Sequence, residues 1–272
     1  MGRPSKKSTG PMSDAERSRA YRANHRKRIS HTRKKQRKLA AKAAAQAKRT
    51  DDRNAREAKL AADAERASAQ LAKAARRFPF ILCDPPTDWN GGRGRLARYD
   101  RMSIKAICDL GPKIPAARDA VLWLWSTRPL LIKAPHLIIP AWGFEDSTNW
   151  AWVKEGDDGE LERGTGLVLI DQHEILIHCI RGKGVKPAAW GEQPGSVIRA
   201  PRPRLPGTHR PWPSRKPMLV HIRAERYYPT CAKLEMFARP PFRRGWHVMG
   251  DEVPGGYMTP EEAERAGLVG EW

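Results

Sequence analysis

The 272-residue sequence has few cysteines and no long apolar run. Its four cysteines stand far apart, without the paired spacing of a zinc site or of a disulfide framework: Cys83, Cys108, Cys179 and Cys231. No apolar run approaches the roughly 20 residues that a membrane-spanning helix needs, and the charged N-terminus is unlike a secretory signal. We therefore expect a cytoplasmic protein with reduced thiols and no bound metal.

Acidic residues are scarce relative to basic ones. The chain has 51 Lys and Arg against 30 Asp and Glu, a formal net charge of +21. Residues 1–77 alone hold 24 basic and 7 acidic side chains, so they carry +17 of that charge. A charge so large and so unevenly placed predicts a polyanionic partner that contacts the N-terminal part of the chain.

Residues 33–77 also lack glycine and proline and contain almost no large aliphatic side chains. They are rich in Ala, Lys, Arg and Glu, which favour helix. Ser13 and Glu16 have the spacing of a capping box, which predicts a helix start. We predict a basic arm over residues 1–77 that is largely helical or disordered. It either holds nucleic-acid phosphates or is a solvated helix with no fixed partner, and Gly2-Arg3-Pro4 resembles an AT-hook.

The uncharged run from Phe78 to Cys83 ends at Asp84-Pro85-Pro86. This pattern predicts a buried strand that stops at a loop with a carboxylate, where open α/β sheets bind ligands. Because proline has no N–H, the loop offers acceptors and few donors. Such acceptors suit an exocyclic NH₂ group, whose nitrogen lone pair they would free for attack on an electrophilic methyl group. Trp89 could stack on the base. An ordinary strand-to-loop turn is the alternative.

Strands and helices are predicted to alternate after this loop. Predicted strands cover 119–126, 149–154, 174–180 and 234–237, and a short helix from Met102 to Leu110 is capped by Ser103. A helical segment over 129–140 is interrupted at Pro135, and 181–215 reads as a long loop. The alternation predicts a parallel-rich sheet with helices on both faces. We assign this domain to 78–253, followed by a tail, 254–272, whose short helix begins at Thr259.

Residues 78–253 resemble the DPPW-type adenine amino-methyltransferases, which include the eukaryotic messenger-RNA adenosine methyltransferases and bacterial and phage relatives. The resemblance lies in the order and spacing of several motifs: Asp84-Pro85-Pro86, Tyr99-Asp100-Arg101-Met102-Ser103, Leu122-Trp123-Leu124-Trp125-Ser126-Thr127, Trp142-Gly143-Phe144, Trp152-Val153-Lys154, His173-Glu174, Ser214-Arg215-Lys216-Pro217, Leu234-Glu235-Met236-Phe237-Ala238-Arg239 and Gly245-Trp246. The family has an aromatic residue after the second proline, where this chain has Thr87. Either Trp89 replaces that aromatic ring or the stacking face is lost.

The resemblance implies a Rossmann-like α/β domain that depends on S-adenosylmethionine, with a permuted motif order, preceded by the basic helical arm. It implies methylation of the exocyclic amine of adenine in nucleic acid, with DNA favoured over RNA because of the arm. It assigns catalysis to Asp84, Pro85 and Pro86, with Trp89 as the candidate stacking residue, and cofactor binding to Cys83, Asp84, Lys216, Glu235, Phe237 and Arg239. Substrate binding is expected at Tyr99, Arg95, Arg98 and Arg101, because arginines clustered beside a base pocket could grip the flanking phosphates, and a solvated loop is the alternative.

Two other readings stay open for this chain. One is an inactive, methyltransferase-like protein that binds nucleic acid through its arm. The other is a subunit that works with a related methyltransferase partner or as a homodimer. In a bacterial or phage setting, we expect any of these proteins to associate with the nucleoid.

Overall fold

The computed structural model describes residues 12–74, 76–87, 101–127, 130–164, 168–188, 191 and 193–271. The chain divides into two compact units, Met1–Ala58 and Lys59–Trp272. The division falls before the boundary predicted at residue 77, because the end of the long first helix belongs to the second unit. In that unit Ala67 and Leu71 are buried.

Helix α1 spans Asp14–Leu71. The predicted capping box is confirmed at its start: Ser13 Oγ accepts from Glu16 N at 3.4 Å, and Glu16 Oε2 accepts from Ser13 N at 2.9 Å. From residue 14 to residue 58, every side chain that the structure describes is exposed. This part of the helix is therefore a solvated, basic rod, as its alanine-rich and charged composition predicts.

Eight strands of the described residues form one sheet in the order β5-β3-β4-β2-β1-β6-β7-β8. Their bounds are β1 Phe78–Cys83, β2 Ala116–Thr127, β3 Glu145–Lys154, β4 His173–Arg181, β5 Val197–Ala200, β6 Lys233–Met236, β7 His247–Met249 and β8 Tyr257–Met258. Among these described strands, four neighbouring pairs run parallel and three run antiparallel. The centre is parallel, as predicted, since β1 lies between β2 and β6.

In the described part of the chain, four shorter α-helices follow α1: α2 Ile104–Asp109, α3 Pro135–Ala141, α4 Leu219–Tyr227 and α5 Pro260–Arg265. As predicted, Ser103 caps α2, by accepting from Ala106 N at 3.1 Å, and Thr259 caps α5. The Thr259 cap is a capping box with Glu262. No helix in the described part of the chain is long and apolar enough to cross a membrane.

Two local predictions were wrong. Pro135 does not interrupt a helix but begins α3, because the first turn of a helix leaves the amide of that position unbonded anyway. The predicted loop 181–215 contains strand β5, which pairs in parallel with β3. Four residues among prolines, glycines and arginines carry too little periodicity to be recognised as a strand.

Helices cover both faces of the sheet, as predicted. On one face, Ile81 and Cys83 of β1 belong to an apolar cluster with residues of α1, α2 and α3. On the other, Phe80 and Leu82 belong to a cluster with residues of α4 and several tryptophans. Burial on both sides explains why β1 is an unbroken apolar run, without alternating polar residues.

A substitution at Leu71 would test whether the end of α1 is part of this core. Its side chain is only 3% exposed and packs in the same cluster as Ile81. We expect Leu71→Ala to lower the free energy of unfolding by about 2–5 kcal/mol, because it leaves a cavity. The matched control is Leu39→Ala, at an exposed position of α1, which should change it by less than about 0.5 kcal/mol. Urea unfolding measures both, and equal effects would contradict the assignment.

Candidate active site

A cavity of about 540 Å³ opens at the carboxyl end of β1. Its volume lies within the range of small-molecule sites. Its lining combines charged groups with an apolar wall: Asp84, Pro85, Pro86, Thr87, Arg101, Leu124, Trp125, Ser126, Thr127, Leu130, Ala134, Pro135, Ile138, Glu174, Ser214, Lys216, Phe237, Ala238, Arg239, Asp251 and Glu252. The site therefore lies where the strand-to-loop pattern predicts it.

Lys216 joins two carboxylates in the cavity. Its Nζ lies 2.6 Å from Asp84 Oδ2 and 3.4 Å from Glu174 Oε2. Lys154 Nζ lies 2.8 Å from the other oxygen of Glu174. Lys216 and Glu174 are 10% and 15% exposed. Two ammonium groups thus balance two carboxylates, and the structure brings together Asp84 and Lys216, which the sequence separates by 132 positions.

The cavity shifts the pKa values of the two carboxylates, Asp84 and Glu174, in opposite directions. Withdrawal from bulk water raises the pKa of Asp84, and the Lys216 ammonium offsets part of this effect. For Glu174, burial also acts to raise the pKa, but Lys216 and Lys154 outweigh it and lower the pKa below its ordinary value. Asp84 is therefore the better proton acceptor of the two, while Glu174 holds Lys216 in place.

Glu235, at the end of β6, lies in a smaller recess that Asp84 and Lys216 also line. Its Oε2 is 3.1 Å from His221 Nε2 of α4. Burial acts to raise the pKa of Glu235, but His221 and Arg215 lower it overall. The strand end therefore presents an acceptor beside the Asp84 and Lys216 pair, though not on the wall of the main cavity.

The loop that follows β6 is tied down by two arginines. Arg239 donates to Pro213 O at 2.8 Å and to Glu252 Oε1 at 2.7 Å. Arg215 donates to Pro240 O at 3.4 Å and to the carbonyls of Arg239 and Pro241, and its guanidinium stacks on Trp212. Burial lowers the pKa of Arg215 to about 10. No role for Arg215 could be predicted from the sequence, since nothing in its motif shows that it donates to a loop 24 residues away.

The remaining residues predicted for the site are of three kinds: some line the main cavity, one faces the core, and some lie outside the described residues. Arg101, Pro85, Pro86 and Phe237 line the main cavity. Cys83 does not, because its side chain faces the core, where burial raises the pKa of the thiol. Four predicted residues lie outside the described ones: Trp89, Arg95, Arg98 and Tyr99. The Gly2-Arg3-Pro4 motif lies outside them as well.

Sequence reasoning missed three acidic residues of the cavity. Glu174 was noted only as part of a motif, and its pairing with Lys154 and Lys216 depends on the fold. Asp251 and Glu252 come just after β7. Asp251 bonds Gln70 at 2.9 Å and Arg66 at 3.3 Å, so the end of α1 supports one wall of the site.

The carbonyls of the Asp84 to Pro86 loop are already hydrogen-bonded. Pro85 O accepts from Thr87 N at 2.7 Å and from Thr87 Oγ1 at 3.1 Å. Pro86 O accepts from Met102 N at 2.7 Å. The acceptor array inferred from the two prolines is therefore partly engaged by the chain itself, above all at Pro85.

Acid should destabilise the fold partly through Glu174. Because its folded pKa is lowered, Glu174 stabilises the protein above its unfolded pKa of about 4.3, and this contribution is lost as pH falls through the folded pKa. Asp84, whose pKa is raised, acts in the opposite sense in the same window. We expect Glu174→Gln to flatten the fall of the melting temperature between pH 5 and pH 3. Exposed Glu160→Gln is the control, and identical slopes would refute the assignment.

Residues 78–252 match the family model MT-A70. The N6-methyladenosine RNA methyltransferase MTA1 of Cryphonectria parasitica is 31% identical over 186 residues, which cover 65% of this chain and 52% of that protein. The type II methyltransferase M.MunI of Mycoplasma sp is 26% identical over 66% of this chain and 79% of its own length. The N(6)-adenine-specific methyltransferase METTL4 of Mus musculus is 27% identical over 67% and 39%.

This chain therefore spans about half the length of the first of these relatives. The matched segment coincides with the domain predicted from the motifs and contains the Asp84 and Lys216 pair, so the predicted resemblance is confirmed. The chain belongs to the MT-A70 family.

Proposed function

We propose that this protein transfers a methyl group from S-adenosylmethionine to the exocyclic amine of adenine in nucleic acid, with DNA favoured over RNA. The observation that carries the proposal is the half-buried Asp84 carboxylate, bonded to Lys216 at the cavity that opens beyond β1. The relatives from Cryphonectria parasitica and Mus musculus are named for methylation at N6 of adenine, and the proposal takes both the base and the nitrogen atom from these names.

The charged groups of the site fit S-adenosylmethionine. Lys216 and Arg239 are cations suited to the carboxylate of its amino-acid end. Glu235, Asp251 and Glu252 are acceptors suited to its ribose hydroxyls and amino group. When bound, the cofactor supplies a methyl group made electrophilic by a sulfonium ion. The volume of about 540 Å³ leaves room for a base as well.

Asp84 is the group proposed to act on the amine. By accepting a hydrogen bond from the NH₂ group, the carboxylate draws the nitrogen out of conjugation with the ring and makes its lone pair available. The raised pKa of Asp84 also suits it to take the proton that the nitrogen loses after methylation. The base would be flipped out of a duplex to reach this position.

The exposed, basic part of α1 is proposed to hold phosphates. Every described side chain from residue 14 to residue 58 is exposed, and this segment has a large excess of Lys and Arg. Binding of this kind is independent of base sequence and weakens steeply with salt. It supports a nucleic-acid substrate; DNA is favoured because a long cationic arm suits a duplex, and in a bacterial or phage setting the nucleoid is the proposed place of action.

The second candidate function is nucleic-acid binding without catalysis, alone or as the partner of an active methyltransferase. The observation that favours it is Thr87, which stands where the family has an aromatic residue and which engages the Pro85 carbonyl. An inactive subunit would retain the arm and the fold. Such a subunit would need a sister chain or a second copy of itself for activity. Light scattering would detect a complex of two copies by its size.

The test is methyl transfer by the purified full-length chain. The protein is incubated with methyl-labelled S-adenosylmethionine and with duplex DNA, single-stranded DNA or RNA, and digested nucleosides are identified by mass spectrometry. N6-methyladenosine in RNA or N6-methyldeoxyadenosine in DNA would support the proposal and identify the substrate. Calorimetric titration with S-adenosylhomocysteine is run in parallel. Folded protein that neither binds this product nor transfers methyl groups would make the second function the better one.

A further inference from the structure

Thr87 fills the acceptor capacity of the Pro85 carbonyl. A carbonyl oxygen has two lone pairs, and Pro85 O receives two hydrogen bonds from this one residue, from N at 2.7 Å and from Oγ1 at 3.1 Å. A third donor, such as the amine of a base, would have to displace one of them. In this chain Pro85 O is therefore a poor second acceptor for the substrate.

The bond fixes the direction of the Thr87 hydroxyl. A carbonyl oxygen can only accept, so the hydroxyl hydrogen must point at Pro85. The lone pairs of Oγ1 then face away from that hydrogen. Thr87 lines the same cavity as Asp84. A hydroxyl that has committed its hydrogen can only accept a further hydrogen bond, so Thr87 can offer Oγ1 to an N–H of a ligand in this cavity.

Thr87 is also held firmly in place. Its backbone forms a bridge with Met102, whose side chain is 2% exposed, and Met102 N donates to Pro86 O at 2.7 Å. The residue thus lies between the catalytic loop and the start of α2. A preorganised acceptor does not have to be reoriented during reaction, which is the condition for it to stabilise a transition state.

We propose that the Thr87 hydroxyl replaces the Pro85 carbonyl as the second acceptor for the adenine amine, and this rests on the proposed function. Asp84 accepts one N–H and Thr87 Oγ1 the other. The nitrogen lone pair forms the bond to the methyl carbon, and the bond between that carbon and sulfur breaks with its electron pair left on sulfur. The proton lost by nitrogen passes to Asp84 and then to water. Thr87 is neutral throughout.

Three variants separate this role from a structural one. Thr87→Ser keeps the hydroxyl and should keep kcat within about threefold of the original protein. Thr87→Val keeps the shape and removes the hydroxyl, so Pro85 O keeps only the bond from the backbone N of residue 87, and kcat should fall by about tenfold to a hundredfold. Thr208→Val is the matched control, because Thr208 Oγ1 makes the same kind of bond, to Leu205 O at 3.0 Å, outside the cavity lining. Affinity for S-adenosylhomocysteine and melting temperature should not change in any of them.

A binding measurement gives a readout that does not depend on turnover. With S-adenosylhomocysteine at saturation, adenosine is compared with purine riboside, which lacks the amine. The original protein and Thr87→Ser should prefer adenosine, and Thr87→Val should lose about tenfold of that preference. This loss identifies contact with the amine, since a merely structural change would weaken both nucleosides equally.

The outcomes distinguish the inference from the proposed function. Thr87→Val that methylates as fast as the original protein, or faster, would overturn the inference and leave the function standing, with Pro85 O as the acceptor. Absence of transfer by all variants would count against the function. In that case the nucleoside comparison decides: a preference for adenosine that Thr87→Val removes supports the acceptor role, and equal binding of the two nucleosides refutes it.

Discussion

Replacing Asp84 by asparagine should slow methyl transfer by about a hundredfold to a thousandfold, a loss like that caused by removing one preorganised group that stabilises a transition state. Asparagine has nearly the same size, but it brings an NH₂ donor into a place that has to accept from an amine. It also removes the negative charge and the proton acceptor. The loss should appear in kcat more than in cofactor affinity, because the interaction strengthens as positive charge develops on nitrogen.

Single-turnover kinetics with labelled cofactor and adenine-containing nucleic acid measure this loss. Asp157→Asn provides the control, since Asp157 is exposed and is not among the cavity-lining residues. If Asp84→Asn is folded and stays within threefold of the original rate, Asp84 does not act on the amine.

Replacing Lys216 by methionine should weaken binding of S-adenosylhomocysteine by about tenfold to a hundredfold, the effect of removing one charged hydrogen-bonding partner. The change also leaves Asp84 and Glu174 in the cavity without the ammonium group between them. Their mutual repulsion should raise the pKa of Asp84 further and cost about 2 kcal/mol of stability, less than for a fully buried pair because Asp84 is 37% exposed.

Lys105 offers a sharp control for this variant. Its Nζ lies 2.6 Å from Asp109, the same length as the Lys216 bond to Asp84, but Lys105 is 83% exposed. Lys105→Met should change the free energy of unfolding by less than about 1 kcal/mol and should not affect cofactor binding. Calorimetry and urea unfolding give both quantities. Equal affinities for Lys216→Met and Lys105→Met would exclude Lys216 from the cofactor site.

Local features of the fold could be predicted from the sequence. The capping boxes at Ser13 and Thr259 involve residues three positions apart, so their side chains meet as soon as a helix forms. Strand β1 is an apolar run that ends just before Asp84-Pro85-Pro86, so it could be predicted without knowing which strands pair with it. The order of the motifs then identified the family. The family implied how distant strands and site residues are arranged, which hydrophobic periodicity alone does not predict.

The features that could not be predicted from the sequence depend on contacts between residues that are distant along the chain. Glu174 has a defined role only because Lys154 and Lys216 converge on it from two other elements. The short strand β5 exists because the edge of β3 is available to pair with it. Thr87 was recognised as a departure from the family, but the bond to Pro85 that gives the departure its meaning is visible only in three dimensions.

The balance of charge in the cavity is the reverse of that in the chain. Of the described residues that line it, four are acidic, Asp84, Glu174, Asp251 and Glu252, and three are basic, Arg101, Lys216 and Arg239. A protein with a net charge of +21 thus lines its main cavity with an excess of carboxylates. Adenine nucleotides such as ATP carry several negative charges, so we expect this lining to disfavour them relative to the sulfonium of the proposed cofactor. Such a preference would let the site distinguish that cofactor from other molecules that share its adenosine.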